Sequence, residues 1–148
     1  MKSILITGGT GLIGKKLISK LKKKRYNIYV LTRRGSYIED NVNYLEWDPK
    51  NSKLDIKGIS NLFSIIHLAG ESINGSRWTK SYKKKILDSR VDTTKLLFKT
   101  IKRLKLKPKS FISASATGYY RADTNSTQME SDPQGTGFLS GVVKKWED

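Results

Sequence analysis

Residues 3–14 have the sequence SILITGGTGLIG, and this segment determines the fold that we expect. Its first five residues are mostly apolar and predict a short buried strand. Glycines then recur at every third position, at Gly8, Gly11 and Gly14, where an apolar repeat at helical spacing begins. Such glycines allow a tight turn, a close approach of the backbone to a pyrophosphate, and close packing of the helix on the strand. The segment therefore predicts a dinucleotide site with the phosphates at the helix N-terminus.

The rest of the chain alternates strand-like and helix-like segments. Continuous apolar or β-branched runs predict further strands at residues 27–32, 43–47, 62–68 and 110–116. Apolar residues at helical spacing predict helices at residues 11–25, 78–105 (with a break near Asp88) and 138–148. Apolar strands that alternate with helices are typical of parallel sheets covered on both faces. We therefore expect an α/β fold, a doubly wound parallel sheet of the Rossmann type with about five strands.

Length and composition favour one folded domain. The chain has 148 residues, of which 36% are hydrophobic and 28% charged, as is usual for a globular protein. It contains no cysteine and a single histidine, His67, which excludes disulfides, thiolate metal sites and sites with several histidines. No apolar run approaches the roughly 20 residues of a membrane helix, so we expect no membrane partner. The expected location is the cytoplasm or another reducing compartment.

The chain is strongly basic, with 29 Lys and Arg against 13 Asp and Glu and a formal net charge of +16. A basic nucleic-acid binder is one function that such a charge allows. Most of the lysines lie where the outer faces of the predicted helices should be, and no aromatic residues alternate with them. We therefore favour solvated helix faces and expect no specific nucleic-acid partner.

The glycine-rich segment has a second interpretation. Residues 9–15 have the spacing G-x-x-x-x-G-K of a nucleoside triphosphate loop. The next residue is Lys16, at the position where Mg²⁺ coordination requires Ser or Thr. The nearest candidate for a Mg²⁺-binding aspartate is Asp48, which follows no convincing apolar strand. The dinucleotide interpretation is therefore favoured, and no metal site is expected.

The end of the second predicted strand indicates which dinucleotide is bound. An acidic residue at this place would bind the ribose 2′-hydroxyl of NAD. The chain instead has Arg33 and Arg34. Guanidinium groups bind a phosphate in bidentate fashion, whereas a carboxylate would repel it. The two arginines thus favour NADP over NAD, although two surface arginines of a basic protein would give the same pattern.

Several motifs resemble those of one protein superfamily. They are TGGTGLIG at residues 7–14, HLAGESI at 67–73, GSRW at 75–78, SRV at 89–91 and SASATGYY at 113–120. With Phe138-Leu139 and Trp146-Glu147, these motifs resemble the extended short-chain dehydrogenases/reductases. Within that superfamily they are similar to the NAD(P)-dependent epimerase branch that carries a C-terminal domain of unknown function. The resemblance covers essentially the whole chain.

The resemblance implies roles for residues that follow the predicted strands. The residues that would hold the pyrophosphate are Gly8, Thr10, Gly11, Leu12, Ile13 and Gly14. The other cofactor contacts would come from Arg33 and Arg34 at the 2′-phosphate, Trp47 and Asp48 near the adenine, and Leu68, Ala69 and Gly70 along the cofactor. Ser115 corresponds to the active-site Ser or Thr of the superfamily, which hydrogen-bonds the reacting oxygen of a small-molecule substrate.

Two departures from the superfamily pattern affect the expected function. The usual base is a Tyr with a Lys four residues later, but no Tyr of this chain has Lys at that spacing, and the helix that should carry the pair begins FLSGV at residues 138–142. Tyr119, Tyr120 and Ser115 are the candidate substitutes. Superfamily members are also longer, so residues 1–148 are expected to form an incomplete NADP-binding Rossmann domain without the C-terminal substrate-binding region.

The implied activity is that of an epimerase or reductase, with hydride transfer at a nicotinamide and, by family analogy, a nucleotide sugar as substrate. The missing Tyr–Lys pair keeps a second function open, an NADPH-binding sensor or regulatory module without turnover. A homodimer is compatible with both functions. His67 lies in an apolar strand and is expected to be a hydrogen-bonded core residue rather than a catalytic one, and Trp78 is expected to pack rather than to stack on substrate.

Overall fold

The computed structural model describes residues 1–121 and 127–148. In these ranges the strands are β1 (Ser3–Thr7), β2 (Asn27–Thr32), β3 (Tyr37–Glu39), β4 (Val42–Asp48), β5 (Lys53–Leu54), β6 (Leu62–His67) and β7 (Ser110–Ser113). The α-helices are α1 (Leu12–Lys22), α2 (Lys80–Arg103) and α3 (Phe138–Glu147). A short 3-10 turn at Thr117–Tyr119 follows β7.

The strands form one sheet with the order β3-β4-β2-β1-β6-β7, and β5 is attached to β4 outside this path. The strands β4, β2, β1, β6 and β7 are parallel, whereas β3 and β5 pair with β4 in antiparallel fashion. The predicted α/β class and the predicted parallel sheet are therefore confirmed. The two short antiparallel strands are absent from the sequence prediction, because two or three residues carry no readable alternation.

Backbone conformation explains the hairpin between β3 and β4. Asp40 and Asn41 both have positive φ, 50° and 60° respectively, a combination that suits the twist of a two-residue hairpin. Tyr37 and Tyr44 are directly opposite each other in the two strands. Their rings stack with centroids 4.4 Å apart, and this cross-strand contact stabilises the short strand β3.

Helix α2 is continuous over 24 residues, so the break expected near Asp88 is wrong. The Asp88 carboxylate accepts a hydrogen bond from Nζ of Lys84 at 2.6 Å, and such a pair four residues apart supports a helix. At the start of α2, Oγ1 of Thr79 accepts a hydrogen bond from the N–H of Tyr82 at 3.1 Å and caps the helix. Neither α2 nor another described helix is long and apolar enough to cross a membrane.

The core consists of two apolar layers, one on each face of the sheet. One layer joins Leu5 and Ile65 of the sheet to Leu97 of α2. The other joins Ile6 of the sheet to Ile18 of α1. All five residues of β1 are buried, as expected for a central strand whose side chains alternate between two covered faces.

Candidate functional site

The carboxyl ends of the central parallel strands lie level at one edge of the sheet. Thr7 at the end of β1 pairs with Leu31 of β2 and with His67 of β6, and His67 pairs with Ser113 of β7. The chain passes from β1 to β2 on one side and later to β6 on the other. Open parallel sheets bind ligands outside such a reversal of strand order, so this carboxyl edge is the candidate site.

Gly8 and Gly14 bring the turn after β1 into close contact with its surroundings. Gly8 has a φ of +69°, and a Cβ at this position would lie 2.7 Å from the carbonyl carbon and oxygen of Leu68. A Cβ on Gly14 would lie 2.4 Å from the carbonyl oxygen of Gly8. Both distances are far below van der Waals contact. The tight turn and the close helix packing expected from the glycine spacing are thus both present.

The N-terminus of α1 is not capped by a side chain. Its N-cap residue is Gly11, and the first helical bond runs from the N–H of Lys15 to the carbonyl of Gly11 at 2.9 Å. The N–H groups of Leu12, Ile13 and Gly14 precede that bond and lie at the positive end of the helix dipole. No acidic residue occupies this first turn, and the Leu12 and Ile13 side chains are 78% and 67% exposed. The helix start is therefore an open surface suited to an anion.

Two arginines lie beside this turn, because β2 neighbours β1. Arg33 and Arg34 directly follow β2, and both are exposed. The N–H of Arg34 donates to Oγ1 of Thr32 at 3.2 Å, which directs the chain out of the sheet at this point. The carboxyl edge thus carries two exposed guanidinium groups next to the glycine turn.

Trp47 and Asp48, at the end of β4, lie in different environments. The Trp47 side chain is 6% exposed and belongs to the apolar core. The Asp48 carboxylate accepts hydrogen bonds from Nδ2 of Asn51 at 2.6 Å and from the N–H of Lys50 at 3.1 Å. These bonds, that from Asn51 above all, hold the pKa of Asp48 below its usual value. Of the two residues expected near an adenine, Asp48 alone presents its side chain at the edge.

A buried polar chain links the ends of β1 and β6. The hydroxyl oxygen of Thr7 accepts hydrogen bonds from the N–H groups of Leu68 and Ala69 at 3.1 and 3.0 Å. Its own proton is therefore directed to Nδ1 of His67, 2.6 Å away. The ring then carries its proton on Nε2, which faces Oγ1 of Thr93 at 3.3 Å. The partners of His67 thus determine its neutral tautomer.

This polar chain shapes the floor of the site. Burial lowers the pKa of His67 from 6.5 to about 4, so the ring is neutral at neutral pH. Through Thr7, the ring holds the backbone at Leu68, against which Gly8 packs. The expected role of His67 as a hydrogen-bonded core residue is confirmed. Sequence reasoning missed Thr7 as its partner because the two residues are 60 positions apart.

Arg90 holds the loop after β6 from the side of α2. Its guanidinium lies against Gly70, where a Cβ would be 3.0 Å from Cζ of the arginine. Nη1 of Arg90 donates to the carbonyl of Glu71 at 3.1 Å, and the N–H of Glu71 donates to Oγ of Ser89 at 2.8 Å. The guanidinium also lies 5.2 Å from the ring centre of Trp146 in α3. The motif SRV was the sequence signal for this arrangement, but it carried no predicted role.

The two predicted reactive residues after β7 have different neighbours. Ser115 is exposed, and its Oγ donates a hydrogen bond to Oε1 of Glu147 in α3. Tyr119 lies in the next turn, where its carbonyl accepts hydrogen bonds from the N–H of Gly135 at 2.8 Å and from Oγ of Ser140 at 2.9 Å. Among the described residues, no hydrogen bond joins the Tyr119 side chain to Ser115. The structure therefore brings Ser115 to Glu147, a residue that the sequence singled out only within the Trp146-Glu147 motif and without a role.

A cleft of about 630 Å³ lies beside the turn after β7. Trp78, Tyr120 and Phe138 contribute its aromatic walls. The rings of Trp78 and Phe138 meet edge-on with centroids 5.6 Å apart, and the indole N–H of Trp78 donates to the carbonyl of Ile73 at 2.7 Å. Trp78 therefore packs as expected, and its exposed part also faces the cleft. Neither Ser115 nor Tyr119 lines the cleft.

Phe138 and Val142 lie at the start of α3, the helix on which the resemblance leads us to expect the Tyr and Lys. Both residues belong to an apolar cluster with Tyr82 and Ile86 of α2. Neither an aromatic hydrocarbon ring nor an isopropyl group can transfer a proton. The first turns of α3 thus fasten the helix to α2 and supply no acid or base.

Comparison with known sequences agrees with this architecture. The family model "NAD dependent epimerase/dehydratase family" matches residues 4–138. An epimerase family protein of Staphylococcus saprophyticus is 40% identical over 149 aligned residues, which cover 99% of this chain and 49% of the relative. A similar protein of Staphylococcus aureus is 37% identical with the same coverage. The chain spans about half the length of the curated relatives it matches.

Solved structures give the same result for the fold. The human epimerase family protein solved with NADPH is 28% identical, with a TM-score of 0.80 over 98% of this chain and 47% of that protein. A nucleoside-diphosphate sugar epimerase from Corynebacterium glutamicum is also 28% identical, with a TM-score of 0.77 over 99% of this chain and 29% of that protein. The chain therefore belongs to the NAD-dependent epimerase/dehydratase family and has the Rossmann-type fold of the extended short-chain dehydrogenases/reductases.

Proposed function

We propose that this chain is the nicotinamide-cofactor-binding part of an epimerase- or reductase-like protein, that it prefers NADP to NAD, and that its substrate class is a nucleotide sugar. The observation that carries the proposal is the glycine turn beside the uncapped N-terminus of α1, at the point where the strand order reverses. The relatives support it, since the human protein was solved with NADPH and the Corynebacterium glutamicum protein is named a nucleoside-diphosphate sugar epimerase.

The carboxyl edge fits a pyrophosphate in shape and in charge. Gly8 and Gly14 leave no room for a Cβ, so the backbone itself forms the surface of the turn. The N–H groups at the start of α1 supply donors without a competing side-chain cap. The residues that we assign to the pyrophosphate are Gly8, Thr10, Gly11, Leu12, Ile13 and Gly14. Leu68, Ala69 and Gly70 would line the cofactor from the loop after β6.

The preference for NADP rests on Arg33 and Arg34. Both are exposed after β2, the strand next to the glycine turn, and the edge offers a 2′-phosphate two bidentate donors there. The carboxylate of Asp48 lies after the following strand, β4, and is held in its own turn by Asn51 and Lys50. It would contact the adenine rather than the ribose.

When bound, the nicotinamide supplies the site at which hydride is exchanged with a substrate carbon. The residues of the chain would bind and orient the cofactor and the substrate, and they would exchange protons with the substrate. We assign Ser115 to the reacting substrate oxygen, because it lies just beyond the carboxyl end of β7, next to the loop that would line the cofactor. Tyr119, in the same connection, is the second candidate.

Titration with NADPH and NADH, followed by nicotinamide fluorescence, tests the cofactor assignment. We expect Arg33→Ala to weaken NADPH binding about ten- to hundredfold, because charge-assisted hydrogen bonds contribute about 1.5–3 kcal/mol. NADH binding should change less than about twofold. The matched control is Lys57→Ala, which removes an exposed cation from the loop before β6. Equal affinity for the two cofactors, or an Arg33→Ala variant with wild-type NADPH affinity, would contradict the assignment.

A second function, NADPH binding without turnover, is favoured by one observation. The apolar cluster of Phe138 and Val142 stands where the superfamily pattern has its base. A panel of carbonyl compounds added to the NADPH complex of a full-length version distinguishes the two functions, because residues 1–148 are expected to lack the substrate-binding region. Oxidation of bound NADPH by any compound of the panel supports the enzyme, and tight binding with no oxidation across the panel supports the sensor.

A further inference from the structure

The hydroxyl group of Ser115 is oriented by Glu147. Their hydrogen bond joins Oγ of Ser115, just beyond the carboxyl end of β7, to Oε1 of Glu147 in the last turn of α3. A serine hydroxyl has one proton and two lone pairs, and an ionised carboxylate can only accept. The proton of Ser115 therefore points to Glu147, and Oγ presents its lone pairs to a ligand. A group of this kind receives a substrate hydroxyl rather than a carbonyl.

Tyr120, in the same region, is a poorer proton acceptor than a carboxylate. Partial burial, followed by the nearby carboxylates of Glu130, Asp132 and Glu147, raises the pKa of Tyr120, so its phenol keeps its proton at neutral pH. The Tyr119 ring lies edge-on to the Tyr120 ring, with ring centroids 5.2 Å apart. In the described part of the chain, no hydrogen bond joins the Tyr119 side chain to Ser115. Among the described residues, Glu147 is the carboxylate in hydrogen-bond contact with the serine.

We propose that Glu147 is the proton acceptor behind Ser115, and that this Ser–Glu pair, acting on a substrate hydroxyl, replaces the Tyr–Lys pair that the chain lacks. The inference rests on the proposed function, because it requires an alcohol substrate and an oxidised nicotinamide as the hydride acceptor. Ser115 would touch the substrate, whereas Glu147 would act through it.

The proton transfer is balanced within the pair. The O–H bond of the substrate breaks, its proton passes to Oγ of Ser115, and the proton of Ser115 passes to Oε1 of Glu147. The electron pair of the O–H bond becomes the second bond of the carbonyl. The carbon would give up hydride, so the substrate would be oxidised by two electrons, which a bound oxidised nicotinamide would accept. Glu147 ends protonated and releases its proton to water, and reduction of a carbonyl follows the reverse path.

The position of Glu147 is tied to the loop after β6. The guanidinium of Arg90 lies 5.2 Å from the ring centre of the neighbouring Trp146. Arg90 also donates a hydrogen bond to the carbonyl of Glu71 at 3.1 Å. The last turn of α3 is therefore connected both to the serine and to the loop that would line the cofactor. This connection gives the pair a defined place relative to the carboxyl edge.

Tyr120 interacts electrostatically with Glu147, and Glu130 and Asp132 lie near Tyr120 in turn. Arg90 on α2 contacts the neighbouring Trp146, and Lys144 pairs with Asp148 on α3. The Lys144–Asp148 pair, at 3.1 Å, is internally neutral. Among the described residues, no salt bridge joins Glu147 to a cation.

A single introduced thiol tests the contact without any substrate. The chain contains no cysteine, so Ser115→Cys provides the sole thiol, and its pH-dependent alkylation by iodoacetamide reports the thiolate fraction. A carboxylate in contact raises the thiol pKa. We expect alkylation at pH 8 to become about three- to tenfold faster when Glu147→Gln is added to Ser115→Cys. The matched control is Ser113→Cys, because Ser113 is exposed on the same segment and its Oγ faces the carbonyl of Ala114.

The alkylation profiles decide on the contact. An increase caused by Glu147→Gln in the Ser115→Cys background and absent from the Ser113→Cys background supports the proposal. Identical profiles with and without Glu147→Gln overturn it. Circular dichroism of each variant verifies that the fold is retained, and the NADPH titration of the wild type tests the proposed function separately.

Turnover tests the proton transfer itself. In a full-length version supplied with NADP⁺ and a panel of secondary alcohols and nucleotide sugars, we expect Glu147→Gln to slow reduction of NADP⁺ about hundredfold and to remove the acidic limb of the pH profile. Glu147→Asp should restore part of the rate, and NADPH affinity should stay within about twofold in both variants. A Glu147→Gln variant with the wild-type rate and pH profile overturns the proposal. A wild type that binds NADPH but oxidises no alcohol contradicts the proposed turnover instead, and the alkylation profiles still decide on the Ser115–Glu147 contact.

Discussion

The two sides of the candidate site are built in different ways. On the side of β1 and α1, the surface is backbone: glycines in contact with backbone, buried strand residues, and N–H groups at a helix start. On the side of β7 and α3, the surface consists of side chains, and the last two residues of β7 are exposed. The first side has no room for a Cβ at Gly8 or Gly14, whereas a Cβ at Gly141 of α3 would meet nothing within 4 Å.

This difference suggests how one fold can keep a cofactor and change its chemistry. Backbone donors and glycine contacts do not depend on side-chain identity, but they fail if one glycine is replaced. Side chains on a tolerant surface can be exchanged while the fold stays the same. The apolar residues Phe138 and Val142 at the start of α3, together with the role that we propose for the Ser115–Glu147 contact, would be such an exchange.

The largest effect is expected from Gly14→Ala. The new Cβ would lie 2.4 Å from the carbonyl oxygen of Gly8, so α1 must move and the free energy of unfolding should fall by more than about 3 kcal/mol. NADPH binding should be lost as well. Urea denaturation measures the change, with Gly58→Ala as the control because a Cβ there would meet nothing within 4 Å. Equal stability of Gly14→Ala and Gly58→Ala would show that the glycine turn accepts a Cβ as readily as an open position does.

Acid should lower the free energy of unfolding through His67, which lies on the backbone side of the site. Its pKa of about 4 in the folded chain lies below the ordinary 6.5, so the unfolded chain binds a proton first and stability falls as the pH drops below 6.5. The loss is complete below pH 4 and amounts to about 3 kcal/mol. Denaturation of the wild type and of His67→Asn between pH 7 and pH 4 isolates this contribution, because asparagine does not titrate. Parallel curves for the two proteins would show that His67 is not the group responsible.

Thr7→Val should cost about 2 kcal/mol, because it leaves the N–H of Ala69 and Nδ1 of His67 without their hydroxyl partner. Thr7→Ser keeps the hydroxyl and should cost about 1 kcal/mol for the lost methyl group. Thermal unfolding of the two variants measures the difference. A serine variant as unstable as the valine variant would mean that packing, rather than the hydrogen bonds, makes Thr7 important.

The smallest effect is expected on the side-chain side, from Gly141→Ala. Because α3 has open space there and alanine is the better helix former, the free energy of unfolding should rise by about 0.5–1 kcal/mol. Chemical denaturation detects this gain. A loss of stability would show that α3 is packed as tightly as the glycine turn, and the contrast between the two sides would disappear.

The sequence was sufficient for the parts of the molecule that depend on local pattern. The apolar runs predicted the parallel strands, and the glycine spacing predicted the turn at Gly8 and its packing. Strands β3 and β5 were beyond this method because they are too short for periodicity. The helix break predicted near Asp88 is wrong, because the pairing of Asp88 with Lys84 supports the helix.

Contacts between distant residues were the other limit. The bond between Ser115 and Glu147 spans 32 positions, and the bond between Thr7 and His67 spans 60. Neither pair has a spacing that a single sequence can reveal, since the sheet and the helix packing bring the partners together. The role of Ser115 is predicted from the resemblance alone, whereas its contact with Glu147 is visible only in the folded structure.

The most direct measurement is a map of the residues that NADPH contacts. We would record amide NMR spectra of ¹⁵N-labelled protein during titration with NADPH. We expect the largest shifts at residues 8–14, at Arg33 and Arg34, and at residues 68–70. Shifts confined to the opposite edge of the sheet, or to the cleft of Trp78 and Phe138, would contradict it.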